Sequence, residues 1–367
     1  MPEQRSPYGY LASRLHYYSL MSKIASRPRQ RPSPFAALGK RLTPAPMPPS
    51  PKPMLCTLVA DPFDNPKWLF EPKFDGVRIL GRFDGKSLTL LSRYGDPQNV
   101  PFPDIAEALQ KALRWPAIVD GEVVCFDDNG HTSFRSLQQR FHLQNPKEIA
   151  FRQERYPAYY YLFDLLYIDR YDVTGLPLEE RKELLRQTVQ WSSRICYTES
   201  IPECGKELFR QACADAQEGI IGKFRDSRYV SGRSSWWVKV KCIGRQEFVI
   251  GGYTDPQHSR VGLGALLVGY YDEQGKQLLY AGKVGTGFNN ETLFDLRRRL
   301  EKLEQQESPF VDADPPRGSP IHWIRPKLVA EIAFAEWTQH GHLRQPRYQG
   351  LRVDKKPKDC KKERPKR

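Results

Sequence analysis

Reactive side chains meet at the start of a predicted strand in residues 71 to 78, which read Glu71-Pro72-Lys73-Phe74-Asp75-Gly76-Val77-Arg78. The Asp-Gly pair predicts a turn, which brings an amine, a carboxylate and a guanidinium together. A lysine is a nucleophile only when it is deprotonated, and a neighbouring cation such as Arg78 or a bound metal would lower its pKa. The stretch therefore favours a lysine nucleophile, Lys73. An ordinary hairpin with two solvent-facing basic residues fits the same letters.

Strand and helix patterns are interleaved irregularly on both sides of this stretch, up to about Lys241. Strands are predicted at Val77 to Phe83, Ser87 to Leu91, Ile118 to Phe126 and Tyr159 to Ile168. Asp104 is predicted to cap a helix whose apolar residues recur at helical spacing on one face. These patterns do not repeat as βαβ units and indicate an α+β domain.

Short apolar strands broken by glycine follow Cys242. The pattern predicts strands at Phe248 to Tyr253, Ala265 to Tyr271, Leu278 to Gly282 and Leu328 to Trp337, and a helix at Asn290 to Gln306. About five strands with one helix are typical of a small β-barrel, and an OB-fold is the leading candidate.

The formal net charge of +14 is concentrated at the two ends of the 367-residue chain. Residues 1 to 60 contribute +8 and residues 355 to 367 contribute +6, so the part between them is neutral. Six prolines between Pro44 and Pro53 predict an extended linker. We therefore expect a basic, Pro-rich disordered tail over residues 1–53, domains over residues 54–243 and 244–355, and a basic C-terminal tail over residues 356–367. The tails either bind a polyanion or only keep the protein soluble.

Cysteine spacing and hydropathy exclude several classes of protein. The seven cysteines form no Cys-x-x-Cys pair, which predicts reduced thiols and neither a disulfide framework nor a zinc site. No apolar run approaches the roughly 18 residues of a membrane span, and the N-terminus lacks the pattern of a signal peptide. We expect a soluble, monomeric protein of the cytosol.

A series of short motifs follows the lysine stretch in a fixed order. It comprises Ser92-Arg93-Tyr94-Gly95, Asp120-Gly121-Glu122-Val123-Val124, Tyr161-Leu162-Phe163-Asp164, Glu218-Gly219-Ile220-Ile221-Gly222-Lys223, Trp237-Val238-Lys239-Val240-Lys241 and Arg352-Val353-Asp354-Lys355. The set resembles the covalent nucleotidyltransferases, a superfamily of ATP-dependent DNA ligases and capping enzymes, and is most similar to the ligase module of bacterial end-joining ligase D over residues 54 to 356. The resemblance implies an ATP-grasp-like adenylyltransferase domain of antiparallel sheets with helices, followed by an OB-fold barrel.

The resemblance also implies a role for each motif residue. Lys73 would attack the α-phosphate of ATP, while Glu71 would accept from the adenine amino group and Phe163 would stack on the purine. Arg93 and Glu122 would contact the ribose, and Arg78 would bind the 5′-phosphate of a nick. The phosphates would be neutralised by Lys223, Lys239 and Lys241. When the second domain closes, pyrophosphate would be oriented by Arg352, Asp354 and Lys355.

Cofactors and partners follow from the same resemblance. ATP would donate AMP, and Glu122 and Glu218 would hold Mg²⁺, with Mn²⁺ as an alternative. The partner would be nicked or broken duplex DNA, and a Ku-type DNA-end-binding protein is a further candidate. A hinge is expected near Cys242 to Arg245, because the second domain would have to swing away to clamp DNA.

One departure and two alternatives remain open at the level of sequence. The family's second motif usually reads Ser-Arg-Asn-Gly, and here Tyr94 replaces the asparagine. An RNA ligase or a capping guanylyltransferase shares Lys-x-Asp-Gly, but the long ligase-like second domain weighs against it. A non-catalytic DNA-end scaffold would have lost the nucleophile or the metal carboxylates, yet Lys73, Glu122 and Glu218 are intact.

Overall fold

The computed structural model describes residues 38, 41–141, 143–242, 244–257, 261–311 and 320–363. Most of the predicted N-terminal tail and the last four residues lie outside this set. Up to Lys241 the strands are β1 (Met54–Leu58), β2 (Asn65–Pro72), β3 (Val77–Phe83), β4 (Leu88–Ser92), β5 (Ala117–Cys125), β6 (Ala158–Ile168), β7 (Tyr171–Asp172), β8 (Ile195–Tyr197), β9 (Ile201–Glu203), β10 (Gly219–Phe224) and β11 (Gly232–Lys241). The helices are α1 (Pro103–Ala112), α2 (Phe134–Leu137), α3 (Pro146–Arg155), α4 (Leu178–Thr188) and α5 (Gly205–Ala214).

Two sheets pack face to face in this first domain. One has the strand order β1-β11-β10-β2-β9, and the other has the order β4-β3-β5-β6-β7 with β8 beside β6. Strand pairing is antiparallel except for β1 with β11 and β6 with β8. Neighbouring residues of β2 point to opposite faces, so Leu69 joins the core between the sheets while Phe70 packs with Ala212 of α5. The predicted α+β arrangement of antiparallel sheets with helices is confirmed.

The predicted elements of the first domain agree with the structure to within one residue at the strand ends, but the helix cap is wrong. Helix α1 begins at Pro103, and Phe102 occupies the capping position without a side-chain hydrogen bond. Proline presets the dihedral angle of a first helical residue, which moves the start one residue earlier. Asp104 lies in the first turn and forms an ion pair with the buried Arg140.

The second domain is a closed barrel with one helix. Its strands are β12 (Gly244–Thr254), β13 (Leu266–Tyr271), β14 (Leu278–Val284), β15 (Glu304–Gln305), β16 (Ile321–Ile324), β17 (Val329–Phe334), β18 (Glu336–Trp337), β19 (Leu343–Arg344) and β20 (Arg347–Leu351), with helix α6 (Asn290–Glu301). Strand β12 pairs with β13 and β17, β13 pairs with β14, and β17 pairs with β20. A parallel bridge between Thr286 and Arg347 closes the ring. This order confirms the predicted OB-fold.

Two predicted elements of the barrel are longer than the observed ones. Helix α6 ends at Glu301 and not at Gln306, because the chain turns to form β15 beside β16. The predicted strand from Leu328 to Trp337 divides into β17 and β18, and β18 pairs with β19 in a separate two-stranded sheet.

The described parts of the proline-rich linker and of the basic C-terminal segment lie against the folded domains. The backbone amide of Ala45 donates to the carbonyl of Arg170, and the Tyr167 hydroxyl donates to the carbonyl of Ala45. A polyproline segment keeps its carbonyls free as acceptors, which explains how the linker docks on the first domain. At the other end, a short 3₁₀ turn (Pro357–Asp359) and the residues up to Glu363 pack on both domains.

A disulfide bond contradicts the prediction of reduced thiols throughout. It joins Cys213 of α5 to Cys242, the residue that follows β11. Their side chains meet because α5 packs against the sheet that contains β11, a proximity that sequence spacing does not reveal. The free thiols are Cys56, Cys125, Cys196, Cys204 and Cys360. No helix of the described residues is long and apolar enough to cross a membrane.

Candidate active site

A cavity of about 250 Å³ lies between the two sheets of the first domain and the barrel. All thirteen residues to which the sequence assigns a role line it. They are Glu71, Lys73, Arg78, Arg93, Glu122, Phe163, Glu218, Lys223, Lys239, Lys241, Arg352, Asp354 and Lys355. They come from positions as far apart as 71 and 355, so the cavity depends on the tertiary fold and on contact between the domains.

Lys73 follows β2, and its position is fixed from both sides. Its backbone amide donates to the carbonyl of Gly219 at 2.9 Å, which extends the pairing of β2 with β10. Its Nζ lies 2.5 Å from Glu218. Gly76 lets the chain turn tightly into β3, because a Cβ there would stand 2.5 Å from the carbonyl oxygen of Val123. The tight turn keeps Lys73 close to the strands that supply the carboxylates.

The charges around Lys73 contradict the predicted depression of its pKa by a neighbouring cation. Burial favours the neutral amine, but the carboxylates of Glu218, Glu122 and Asp75 outweigh it and raise the pKa of Lys73. Arg78 is not among the largest influences on this pKa. The side chain of Lys73 is 19% exposed, which also rules out the reading of a solvent-facing hairpin lysine. In this state the nucleophile is held as an ammonium.

The guanidinium of Arg78 is paired with groups of the first domain. Its guanidinium forms two hydrogen bonds with the buried Asp120 and one with the carbonyl of Met54 at 2.7 Å. The side chain is 15% exposed, and Asp120 holds the pKa of Arg78 well above its ordinary value despite burial. Arg78 therefore faces the cavity as part of an ion pair. The ring centre of Phe163 lies 5.1 Å from its guanidinium carbon.

We call one end of the cavity the Glu71 end. Glu71, Lys223 and Phe163 line it, and the name also covers the buried Lys182, which contacts Glu71 from outside the lining. The carboxylate of Glu71 lies 2.6 Å from the ammonium groups of both Lys182 and Lys223. Burial works against the charge on Glu71, but the two lysines prevail and lower its pKa. Lys223 also sits 4.0 Å from the ring centre of Phe163. Lys223, predicted to neutralise phosphate, thus lies beside the two residues predicted to hold adenine.

The other end of the cavity, the Glu363 end, consists of Lys239, Lys241 and Glu363. The two lysines are two positions apart on β11, so they point to the same face of the sheet. Lys239 Nζ lies 2.5 Å from one carboxylate oxygen of Glu363, and Lys241 Nζ lies 2.8 Å from the other. Strand β11 lies between β1 and β10, so these lysines do not belong to an exposed edge strand.

Glu122 and Glu218 provide the carboxylates predicted to hold a metal. Burial raises the pKa of Glu122 to about 7, although Lys73 and Arg78 oppose this shift. Lys73 holds the pKa of Glu218 below its ordinary value in spite of burial. No group of three or more metal-ligating side chains occurs among the residues that the structure describes.

The barrel contributes an arginine that is held by acids of its own domain. Arg352 forms a two-point ion pair with Asp354 at 2.8 Å and lies 3.4 Å from Glu331. Lys355 lies 2.9 Å from Glu247. Glu247 and Glu331 lie outside the ordered motifs, so sequence reasoning assigned them no role.

Contacts that join the first domain to the barrel and to the C-terminal segment surround the cavity. Arg245 lies 3.4 Å from Asp75 beside the lysine nucleophile. Arg93 lies 3.8 Å from Asp359, and the Tyr94 hydroxyl donates to the same carboxylate. The backbone amide of Lys356 donates to the Tyr94 hydroxyl at 3.3 Å. Tyr94, the residue that departs from the family's motif, therefore contacts the C-terminal segment.

Comparisons with known proteins agree with this geometry. The family model described as "ATP dependent DNA ligase domain" matches residues 53–241, and the one described as "ATP dependent DNA ligase C terminal region" matches residues 259–355. The multifunctional non-homologous end joining protein LigD of Pseudomonas aeruginosa is 36% identical over 346 residues, which cover 93% of this chain and 40% of that protein. Its namesake in Mycobacterium bovis is 36% identical over 300 residues, which cover 81% of this chain and 38% of that protein. The chain thus spans about two fifths of the length of these relatives.

A solved structure extends the likeness to the fold. The structure of "mycobacterial DNA ligase D complexed with ATP and MES" superimposes with a TM-score of 0.62 at 33% identity, covering 84% of this chain and 97% of the other. The resemblance found in the motifs is therefore confirmed. The chain belongs to the ATP-dependent DNA ligase family.

Proposed function

We propose that this protein seals breaks between a 3′-hydroxyl and a 5′-phosphate in duplex DNA, with ATP as the AMP donor, during end joining in the bacterial cytosol. The observation that carries the proposal is the convergence of the thirteen motif residues on one cavity around Lys73. The relatives named for non-homologous end joining support the pathway. They also support our proposal of a Ku-type DNA-end-binding partner.

The first step forms a lysyl-AMP. The ammonium of Lys73 releases a proton, its Nζ attacks the α-phosphorus of ATP, and a P–N bond forms while the bond to the pyrophosphate oxygen breaks. Lys239 and Lys241 neutralise the charge that develops on the leaving pyrophosphate. Arg352, supplied by the barrel, orients this leaving group. At rest, the ion pair with Glu218 holds Lys73 in the position from which it attacks.

The two later steps transfer AMP and close the DNA backbone. An oxygen of the 5′-phosphate attacks the phosphorus of AMP and releases Lys73, which regains its proton. The 3′-hydroxyl then attacks the 5′-phosphorus, loses its proton and expels AMP. Glu71 and Phe163 hold the adenine base throughout, and Arg93 contacts the ribose.

Mg²⁺ fits the carboxylates of Glu218 and Glu122. Mg²⁺ is commonly bound by one or two carboxylates together with phosphate oxygens and water, which matches a site with fewer than three protein ligands among the described residues. When bound, the ion would supply positive charge beside the α-phosphate. Glu218 would then be shared between Mg²⁺ and Lys73, which would weaken the interaction that holds Lys73 protonated.

Opening of the two domains completes the proposal. We take residues 54–243 and 244–355 as the moving units, with the hinge between Cys242 and Arg245. The disulfide bond ties Cys242 to α5, so the hinge motion begins after this residue. Opening separates Arg245 from Asp75 and Asp359 from Tyr94, and it leaves room for a DNA duplex.

A labelling experiment tests the proposed function. Wild-type protein and the Lys73→Ala variant are stripped of bound AMP with pyrophosphate and incubated with Mg²⁺ and ATP or GTP labelled at the α-phosphate. We expect label from ATP on the wild type alone, which nicked DNA then removes as AMP and sealed product. Label from GTP would assign a guanylyltransferase, and no label on the wild type would assign a non-catalytic scaffold.

A further inference from the structure

Glu363, in the C-terminal segment, lies against the two lysines to which we assign phosphate binding. Its carboxylate bridges the ammonium groups of Lys239 and Lys241 at 2.5 and 2.8 Å. Its backbone amide donates to the side-chain oxygen of Gln246 at 2.8 Å. A carboxylate between two lysines offers negative charge and oxygen acceptors, as a phosphate group does.

The backbone before Glu363 is anchored on the barrel. The amide of Tyr271 donates to the carbonyl of Cys360 at 2.7 Å, and the Cys360 side chain is buried. The ammonium of Lys361 donates to the carbonyl of Glu273 at 2.5 Å. Lys362 stands 4.0 Å from the ring centre of Trp337. Contacts on both sides of the chain thus deliver Glu363 to the cavity.

The electrostatics of this contact favour an ionised occupant. Burial disfavours the charge on Glu363, but Lys241 and Lys239 outweigh it and lower the pKa of Glu363 to about 2. At neutral pH the two lysines are therefore matched by a full negative charge. ATP cannot place a phosphate between them until this carboxylate leaves.

We propose that Glu363 is an intramolecular competitor for the phosphates of ATP and pyrophosphate at Lys239 and Lys241. The inference rests on the proposed function of these lysines. The apparent affinity for a ligand is proportional to the fraction of protein whose site is vacant, so an internal competitor lowers it. Binding of ATP is accordingly coupled to displacement of Glu363 from the two lysines. The C-terminal segment thereby sets the ATP concentration at which the enzyme adenylates itself.

A full-length Glu363→Gln variant tests the competition. The variant keeps the shape of the side chain but removes the charge that holds it between the lysines. After stripping of bound AMP, the rate of lysyl-AMP formation is measured over a series of ATP concentrations. We expect the KM for ATP to fall about threefold to tenfold, with the rate at saturating ATP unchanged. The pyrophosphate concentration that gives half-maximal release of AMP should fall by a similar factor.

A matched control separates this effect from a change in net charge. Glu307→Gln removes one charge from an exposed residue outside the cavity and should leave both constants unchanged. An unchanged or higher KM in Glu363→Gln overturns the competition. Failure of the proposed function has a different signature, because the wild-type protein would then take up no label from ATP at any concentration.

Discussion

The two ends of the cavity hold their lysines in different ways. At the Glu71 end, Lys182, Lys223 and Glu71 are at most 5% exposed and belong to one domain. At the Glu363 end, Lys239, Lys241 and Glu363 are 10–22% exposed, and their carboxylate comes from the C-terminal segment. The first arrangement is part of the domain core. The second has an acid that can be exchanged for a ligand.

This difference separates binding of a base from binding of phosphates. An adenine base is neutral, so a site for it gains from fixed side chains that are already in place. Phosphates leave as pyrophosphate after the first step, so their lysines must stay paired without the ligand. An acid on a displaceable segment meets this need. The following predictions test the contrast, beginning with the largest effect.

Removal of one lysine from each end should change stability by very different amounts. We expect Lys182→Met to lower the free energy of unfolding by about 3–5 kcal/mol, because a buried ion pair loses one partner and Glu71 is left with a single cation. Lys241→Met should cost about 1 kcal/mol or less, because Glu363 can move to water. Urea denaturation measures both values. Equal losses for the two variants would contradict the contrast between the ends.

Sequence reasoning found the cavity because its residues lie in short ordered motifs. Lys73 was located by residue type and spacing and the pair on β11 by the resemblance of its motif, and strands β3 to β6 were predicted to within one residue. What it missed comes from distant parts of the chain. Lys182 contacts Glu71, which lies 111 positions away in the sequence, and no local pattern in helix α4 predicts this contact.

The C-terminal segment shows why composition misled. Asp359 and Glu363 are the two acids among eight basic residues from 355 onward, and the net charge of +6 suggested a solvated or DNA-binding tail. In the structure these two acids contact the site, Asp359 at Tyr94 and Glu363 at the Lys239 and Lys241 pair. A net charge averages over positions, whereas recognition depends on a few individual side chains. The disulfide bond was missed for a related reason, because its two cysteines meet only in the folded chain.

Glu331, a buried acid of the barrel strand β17, gives the second prediction, which concerns the dependence of stability on pH. Burial and the nearby Asp75 raise the pKa of Glu331 to about 7, although Arg352 opposes them. The folded protein therefore holds a proton on Glu331 that the unfolded chain has already lost, and stability falls as pH rises from about 4.5 to about 7. At the Glu71 end the two lysines give the opposite shift.

We expect the Glu331→Gln variant to lose this pH dependence. Between pH 5 and pH 7.5, the free energy of unfolding of the wild type should fall by about 1–3 kcal/mol more than that of the variant. Urea denaturation at several pH values gives the comparison, with Glu307→Gln as the exposed control. Parallel pH profiles for wild type and Glu331→Gln would show that this carboxyl group titrates normally.

The smallest expected effect concerns Tyr94, which replaces the usual asparagine of the motif. Its hydroxyl donates to Asp359 and accepts from the Lys356 amide, so it holds the C-terminal segment to the first domain at a partly exposed site. Tyr94→Phe keeps the ring and removes only these hydrogen bonds, whose net worth is about 1 kcal/mol. Lysyl-AMP formation requires the closed domains and should slow about threefold to tenfold. Asp359→Asn should have a similar effect, and the slowing in the double variant should be less than the product of the two single effects, because both changes break the hydrogen bond between Tyr94 and Asp359. The rate at which nicked DNA that already carries AMP is sealed should not change, since that step follows opening of the domains. An equal slowing of this step would mean that Tyr94 supports the fold and not the closure of the domains.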